Sequence, residues 1–98
     1  MPATVSLATA IKTIRKARGL SQEAFSDVSS RTYLSTLERG LKSPTLSKLT
    51  ALCEVMGVHP LVLLTLAYAG EKENNITRLL GQVQADLLLL LKRAAEKD

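Results

Sequence analysis

The amino-acid sequence predicts an all-α fold. Apolar residues recur at three- and four-residue steps through most of the 98 residues, and no segment alternates apolar and polar residues as a strand does. Glycine and proline interrupt this pattern at places typical of helix ends. The spacing predicts one domain of five short helices over residues 1–70, followed by a longer, leucine-rich helix within residues 71–98.

The first two predicted helices are separated by a glycine. Leu7, Ile11 and Ile14 form one apolar face of the first helix, which ends at Gly19. A very short second helix follows, and Ser21 is its expected N-cap because a serine oxygen can accept a hydrogen bond from an unpaired amide of the first turn.

The third predicted helix has two contrasting sides. Ser29 or Ser30 is its expected N-cap, Gly40 ends it, and Leu34 and Leu37 form its buried stripe. The other side carries short hydroxyls flanked by arginines: Arg31, Thr32, Ser35, Thr36 and Arg39. Serine and threonine are poor helix formers, so their use on this face calls for an explanation.

Two further helices complete the predicted domain. Thr45 is the expected N-cap of the fourth helix, and Gly57 ends it. Cys53 lies among its inward-facing residues and is expected to be a small buried hydrophobe. Pro60 suits the first position of the fifth helix, where its missing N–H costs nothing. Residues 61–69 are apolar nearly all round, so neighbours should cover this helix on more than one side.

The sixth predicted helix carries an unusual apolar seam. Asn74 or Asn75 is its expected N-cap. Its apolar positions step by four and three in turn: Ile76, Leu80, Val83, Leu87, Leu90 and Ala94. That spacing is typical of a contact between two helices. It indicates either dimerisation with a second copy or packing of this helix on its own domain.

The charge of the chain is unevenly distributed. Residues 1–66 hold eight Lys and Arg against four Asp and Glu, whereas residues 67–98 hold five of each. The whole net charge of +4 therefore belongs to the first two-thirds of the chain. This asymmetry favours an anionic partner for that part, although a solvated basic surface explains the charge alone equally well.

The composition argues against several classes of protein. With one His and one Cys, the chain offers neither an internal disulfide nor a cysteine-based metal site. It contains no Ser/His/Asp set, paired carboxylates or glycine-rich phosphate loop, so we expect no enzyme, no cofactor and no metal. The start of the chain has no basic segment and no long apolar core, so we expect no signal peptide, and the longest near-apolar stretch, residues 61–69, is far below the roughly 20 residues of a membrane span. We therefore expect a cytoplasmic protein that does not enter a membrane.

The hydroxyl-rich face of the third helix favours DNA binding. Short side chains keep a helix slim enough for the major groove, where hydroxyls bond base edges and a threonine methyl can meet a thymine methyl. Arg31 can form two hydrogen bonds to guanine. The alternative is a polar surface helix that happens to be rich in Ser and Thr.

Four segments at particular spacings favour the first interpretation. They are Leu20-Ser21-Gln22-Glu23, Arg31-Thr32-Tyr33-Leu34-Ser35 with Leu37-Glu38-Arg39-Gly40, Ser43-Pro44-Thr45-Leu46, and Met56-Gly57-Val58. Together, over about residues 7–66, they closely resemble the phage-repressor and Cro type of helix-turn-helix protein, the XRE family. The resemblance implies a repressor-like helix-turn-helix domain that binds double-stranded DNA and regulates transcription.

The resemblance also implies roles for individual residues. Positions that contact bases in the family, or lie beside them on the same face, correspond to Arg31, Thr32, Ser35 and Thr36. Positions that contact the DNA backbone correspond to Gln22, Arg39, Lys42 and Ser43. Arg15 and Glu38 match a structural ion pair between the first and third helices.

One departure from the family pattern affects the turn between the second and third helices. From Leu20 to Gly40 the chain is two residues shorter than the usual family spacing, and the turn glycine is among the missing residues. The turn must therefore be tighter. A rotated third helix could bring Tyr33, rather than Arg31, to the front of the DNA-facing side.

Two functional hypotheses follow. The leading one is a homodimeric repressor that binds an inverted-repeat operator through residues 30–39, with half-sites about 10 bp apart. In this hypothesis the dimer forms through the seam of the sixth helix. The alternative is the antitoxin of a toxin–antitoxin pair, whose C-terminal helix binds a protein partner and whose DNA binding is autoregulatory.

Overall fold

Six helical segments follow one another along the chain. The structure is a computed structural model that describes residues 3–97, with side chains described from residue 7 onward, and this part contains no strand. The segments are α1 (Ala3–Ala17), a 3₁₀ helix (Gln22–Phe25), α2 (Arg31–Glu38), α3 (Leu46–Met56), α4 (Pro60–Ala69) and α5 (Glu73–Glu96). The predicted all-α fold is confirmed.

The core lies where the first five segments meet. Phe25 of the 3₁₀ helix is fully buried, together with Ile11 of α1, Leu34 of α2, Leu52 of α3 and Leu63 of α4. α1 packs along α4, and α2 packs against α1 and the 3₁₀ helix. Full burial of an aliphatic or phenylalanine side chain contributes about 1.5–3 kcal/mol, so these residues hold α2 firmly against the domain.

The predicted second helix, which leads into the shortened turn, is a 3₁₀ helix rather than an α-helix. Its amides bond carbonyls three residues earlier, from Ala24 to Ser21 at 3.1 Å and from Ser26 to Glu23 at 3.1 Å. A 3₁₀ helix rises about 2.0 Å per residue, against about 1.5 Å in an α-helix. The shorter segment can therefore span the distance between α1 and α2 and still place Phe25 in the core.

Two predicted N-caps and one predicted helix end are confirmed. The Ser30 hydroxyl accepts a hydrogen bond from the Tyr33 amide at 3.1 Å, and the Thr45 hydroxyl accepts one from the Lys48 amide at 3.1 Å. Gly57 ends α3 in the left-handed conformation, at φ +71°. A side chain there would be strained, whereas glycine adopts this backbone freely.

Ser21 stands at the predicted N-cap position of the 3₁₀ helix, whereas the predicted N-cap of α5 is wrong. Ser21 makes no side-chain cap hydrogen bond, because its backbone carbonyl already accepts from the Ala24 amide that a cap would bind. α5 begins at Glu73 after Lys72, so Asn74 and Asn75 lie inside its first turn. The Asn75 amide donates to the Lys72 carbonyl at 3.0 Å, and the helix is thereby closed without a side-chain cap.

Most of α5 lies outside the packed domain. It packs against α4 at its start, where Ile76 and Leu79 are half-buried. Every residue from 80 to 97 is exposed, and α5 has no buried residue. We call residues 80–96 the α5 arm. Packing on the chain's own domain is thus confined to the first turns of α5, and the predicted seam residue Ile76 lies in that packed part.

No single helix among the described residues is long and apolar enough to cross a membrane. α3 and α4 pass that test only when taken together, and they are bent by 102° at the break between them.

Candidate nucleic-acid interface

The two sides of α2 are divided as the sequence predicts. Leu34 and Leu37 are almost fully buried, so one side of the helix is committed to the core. On the opposite side Arg31 and Thr32 are exposed and Ser35 is half-buried. Replacing polar side chains on that outer side therefore leaves the core contacts of α2 intact.

The outer side of α2 borders an open cleft. The lining residues are Gln22, Arg31, Thr32, Ser35 and Arg39, and the cleft has a volume of about 370 Å³. We call it the α2 cleft. It contains two guanidinium groups, a side-chain amide and two hydroxyls, and no carboxylate is among its lining residues. A concave surface of this composition is suited to an anionic partner that accepts hydrogen bonds.

Three predicted contact residues do not line the α2 cleft. Thr36 is half-buried, and its hydroxyl donates to the Thr32 carbonyl at 2.8 Å, so its proton is already used within the helix. Lys42 and Ser43 are exposed in the loop between α2 and α3. The structure therefore brings together five of the eight predicted contact residues and places the other three outside this cleft.

Glu38 links the α2 cleft to the rest of the domain. Its carboxylate accepts hydrogen bonds from Arg15 at 2.6 and 3.0 Å, and from the Gln22 amide at 3.2 Å. Arg15 also donates to the Leu20 carbonyl at 2.9 Å. One ion pair thus joins α1, the start of the 3₁₀ helix and the last residue of α2.

Burial makes this ion pair structurally important. The side chains of Arg15 and Glu38 are only 11% and 5% exposed. The hydrogen bonds to Glu38 raise the pKa of Arg15, and its burial opposes that rise only in part. Within a charged network of this kind, removing one partner leaves the other as an uncompensated buried charge.

Sequence reasoning missed an acidic neighbour of Arg31. The Arg31 guanidinium lies 3.4 Å from a carboxylate oxygen of Glu23, and both side chains are more than 70% exposed. The pair bridges the tightened turn, so helical periodicity within either segment does not reveal it. An exposed pair of this kind is weak. Arg31 can therefore leave Glu23 readily for another anionic or polar group.

Lys48 is a second residue that sequence reasoning missed. Its ammonium donates to the Val28 carbonyl and lies 5.6 Å from the centre of the Tyr33 ring. Tyr33 is half-buried and packs against the core. Tyr33 therefore faces α3, while Arg31 lines the α2 cleft. The tightened turn does not bring Tyr33 to the front of α2.

The described residues offer little material for metal or thiol chemistry. Among them, no group of three or more His, Cys, Asp or Glu side chains is placed to hold a metal ion. Cys53 is buried in α3, and its burial raises the pKa of the thiol. A buried thiol held in its neutral form is a poor nucleophile.

Comparison with known proteins agrees with this geometry. A solved structure of similar fold is the clp gene regulator ClgR from Corynebacterium glutamicum, with a TM-score of 0.66 and 24% sequence identity. The alignment covers 96% of this chain and 95% of that chain. No curated protein sequence gives a significant match. The sequence model of the helix-turn-helix family matches residues 11–63, and because this is more than half of the chain, the chain belongs to the helix-turn-helix family.

Proposed function

We propose that this protein is a DNA-binding transcription regulator that represses its target as a homodimer bound to an inverted-repeat operator. One observation carries the proposal. The exposed side of α2 forms, with Gln22 and Arg39, an open cleft that holds two arginines and no acidic group. This cleft lies within the residues that match the helix-turn-helix family.

Base recognition is assigned to the outer side of α2. Arg31 presents a guanidinium near the start of the helix, where it can form paired hydrogen bonds to the O6 and N7 atoms of guanine. Thr32 and Ser35 offer hydroxyls that can donate to base edges or accept from them. Thr36 is assigned a methyl contact, because its hydroxyl proton is bonded to Thr32.

Backbone contacts are assigned to the two ends of α2. Gln22 borders the cleft on one side, and Arg39 follows the last residue of the helix. Lys42 and Ser43 continue this surface into the next loop. Contacts of this type fix the register of a protein on DNA without reading sequence. The location of the entire net positive charge in residues 1–66 supports the same assignment.

The homodimer is proposed on physical grounds. A single domain of this size makes few phosphate contacts and binds DNA weakly, whereas two linked domains combine their contacts and read a longer site. The α5 arm is available for this purpose, since Leu80, Leu87 and Leu90 are more than 50% exposed in the single chain. Repression is favoured over activation because it requires only occupancy of a promoter. The cytoplasmic location stays a prediction.

Selection of bound sequences from a random pool of duplex DNA tests the proposal. The full chain should enrich an inverted repeat with half-sites about 10 bp apart, as expected for two recognition helices one DNA turn apart. Enrichment of a single, unpaired half-site would contradict the inverted-repeat operator but would support the DNA-binding function. Failure to enrich any sequence would contradict sequence-specific binding.

One observation favours the antitoxin alternative. Leu88 and Leu89 are 62% and 52% exposed and lie off the seam that a second copy would cover. A separate protein partner could cover them. An apolar dye that stays dark with the purified dimer would show that the second copy covers Leu88 and Leu89 as well as the seam, and the apolar surface that the alternative requires would then be absent.

A further inference from the structure

We propose that the α5 arms of two copies pair in antiparallel orientation, with Asp86 of each copy facing Arg93 of the other. This inference rests on the proposed homodimer and specifies the direction and register of its interface. It follows from the heptad positions of the arm, from its charges and from the residues of α5 that α4 covers.

The heptad positions identify which residues meet. In the usual notation Leu80, Leu87 and Ala94 occupy a positions, and Val83 and Leu90 occupy d positions. In an antiparallel pair an a residue lies beside a d residue of the partner helix. When Leu87 lies beside Leu90 of the second copy, Val83 lies beside Ala94, and the seam is continuous from residue 83 to residue 94.

The charges of the arm select this register. Asp86 and Arg93 both occupy g positions, which flank the seam on the same side of the helix. In an antiparallel pair g faces g, so the register above places Asp86 against Arg93 twice, once on each side of the two-fold axis. Charges at such flanking positions set the orientation and partner choice of paired helices.

Neighbouring registers are disfavoured by the same charges. A shift of one heptad in one direction places Asp86 against Asp86 of the second copy, and a shift in the other direction places Arg93 against Arg93. Like charges at facing positions repel. In a parallel pair the g position of Asp86 faces the e position of Leu91, and the carboxylate meets no cation there.

Packing within the single chain supports the same register independently. α4 packs on the first turns of α5, where Ile76 and Leu79 are half-buried, and an unbroken run of exposed residues begins at Leu80. In the proposed register the partner helix, which ends at Glu96, ends beside Gly81. It therefore covers the arm from residue 81 onward and stops before α4. The one-heptad shift that pairs Asp86 with itself would instead drive that helix end beside Asn74, against α4.

Disulfide trapping tests the orientation in the full chain. Disulfide formation requires Cα atoms no more than about 7 Å apart. In the antiparallel pair the two Val83 residues are 11 positions apart along the axis, about 16 Å, so Val83→Cys alone should give no disulfide dimer. The double variant Val83→Cys with Ala94→Cys should be trapped almost completely. The unmodified chain is the control, because its Cys53 is buried.

Charge exchange provides a second, independent measurement. Asp86→Arg alone and Arg93→Asp alone should each raise the dissociation constant of the dimer about tenfold, because each replaces two attractions by two repulsions. The combined variant should restore the dimer. In a parallel pair, combining the two substitutions gives no rescue.

The outcomes separate this inference from the homodimer itself. If the unmodified chain sediments as a monomer, the proposed homodimer and the antiparallel pairing are both wrong. DNA selection then still tests the DNA-binding function of the helix-turn-helix domain. A dimer that is trapped by Val83→Cys alone, and that charge exchange does not rescue, keeps the homodimer and overturns the antiparallel orientation. A dimer trapped only by the double variant and rescued by charge exchange establishes the proposed pairing.

Discussion

At the scale of single residues, the α2 cleft depends on a buried group behind it. Glu38 accepts hydrogen bonds from Arg15 in α1 and from Gln22 at the edge of the α2 cleft. The position of Gln22 is therefore tied to the body of the domain. Glu23, by contrast, forms an ion pair with Arg31 in which both side chains are exposed to solvent. The buried arginine–glutamate pair of Arg15 and Glu38 thus stabilises the fold. The exposed pair of Arg31 and Glu23 leaves its arginine available for another contact.

Matched substitutions of these two glutamates separate the roles. Glu38→Gln should lower the free energy of unfolding by about 3 kcal/mol, because Arg15 is left as a buried charge without its counter-ion. Glu23→Gln should lower it by less than about 1 kcal/mol, as expected of an exposed pair. Urea denaturation of both variants measures the difference. Equal losses would contradict the structural role assigned to Glu38.

Arg31 should determine one position of the operator. Arg31→Ala is expected to cost about 1–3 kcal/mol at one base pair per half-site and to relax the preference there. The melting temperature should not change, since Arg31 is exposed. Lys42→Ala is the control: a backbone contact carries no sequence information, so binding to all DNA should weaken alike and the salt slope should fall by about one unit. If binding-site selection with Arg31→Ala recovers the same base preferences as the unmodified chain, Arg31 does not read a base.

At the scale of the helices, hydrogen bonding explains which caps the sequence predicts correctly. At Ser30 the backbone carbonyl bonds the Leu34 amide, four residues on, so the Tyr33 amide remains for the serine hydroxyl. At Ser21 the 3₁₀ helix uses the equivalent amide for a backbone bond. The hydroxyl of a predicted cap residue therefore binds only where the backbone leaves that amide free.

The limits of sequence reasoning lie at the tightened turn. The buried stripe of α2 and its polar outer side follow from local spacing, and the structure shows both. The contact of Glu23 with Arg31 crosses the turn, and the contact of Lys48 joins α3 to Val28 within the turn. Both depend on the rise and direction of the 3₁₀ helix. Apolar periodicity carries no information on either quantity, so these contacts appear only in the folded chain.

A pair of serine substitutions tests this account of capping. Ser30→Ala should lower the free energy of unfolding by about 1 kcal/mol, because the Tyr33 amide loses its partner at the start of α2. Ser21 is also exposed and makes no cap hydrogen bond. Ser21→Ala should therefore lower the free energy of unfolding by only a few tenths of a kcal/mol. Denaturant unfolding of the two variants side by side gives the comparison. If Ser21→Ala lowers the free energy of unfolding as much as Ser30→Ala does, the Ser21 hydroxyl caps the 3₁₀ helix in solution.

At the scale of the whole molecule, the chain divides into a basic, packed domain and an almost unpacked helical arm. Residues 1–66 carry the entire net charge of +4, whereas residues 67–98 are neutral. The domain has its own buried core, to which the α5 arm contributes no residue. A contiguous row of exposed leucines is characteristic of an interaction surface rather than of solvent-facing helix. The two parts are therefore separable: the arm can be altered without disturbing the fold of the domain.

This separation allows a decisive test of the proposed dimer. Leu87→Lys combined with Leu90→Lys places charges in the centre of the seam, where burial without a partner costs several kcal/mol. The chain should sediment as a monomer. The domain should keep its unfolding transition, because α5 contributes no buried residue to its core. Affinity for the full operator should fall together with dimerisation, while weak binding to a single half-site persists.

The control for this variant has the same composition and lies in the same turns of α5. Leu88→Lys combined with Leu89→Lys adds two lysines just off the seam, so the dimer and its operator affinity should both remain. A seam variant that stays dimeric would place the interface outside the α5 arm. A control variant that becomes monomeric would show that the interface is wider than one seam and includes the second apolar side of the arm. Only loss of the dimer in the first variant, with its retention in the second, supports a dimer built on the spacing of four and three.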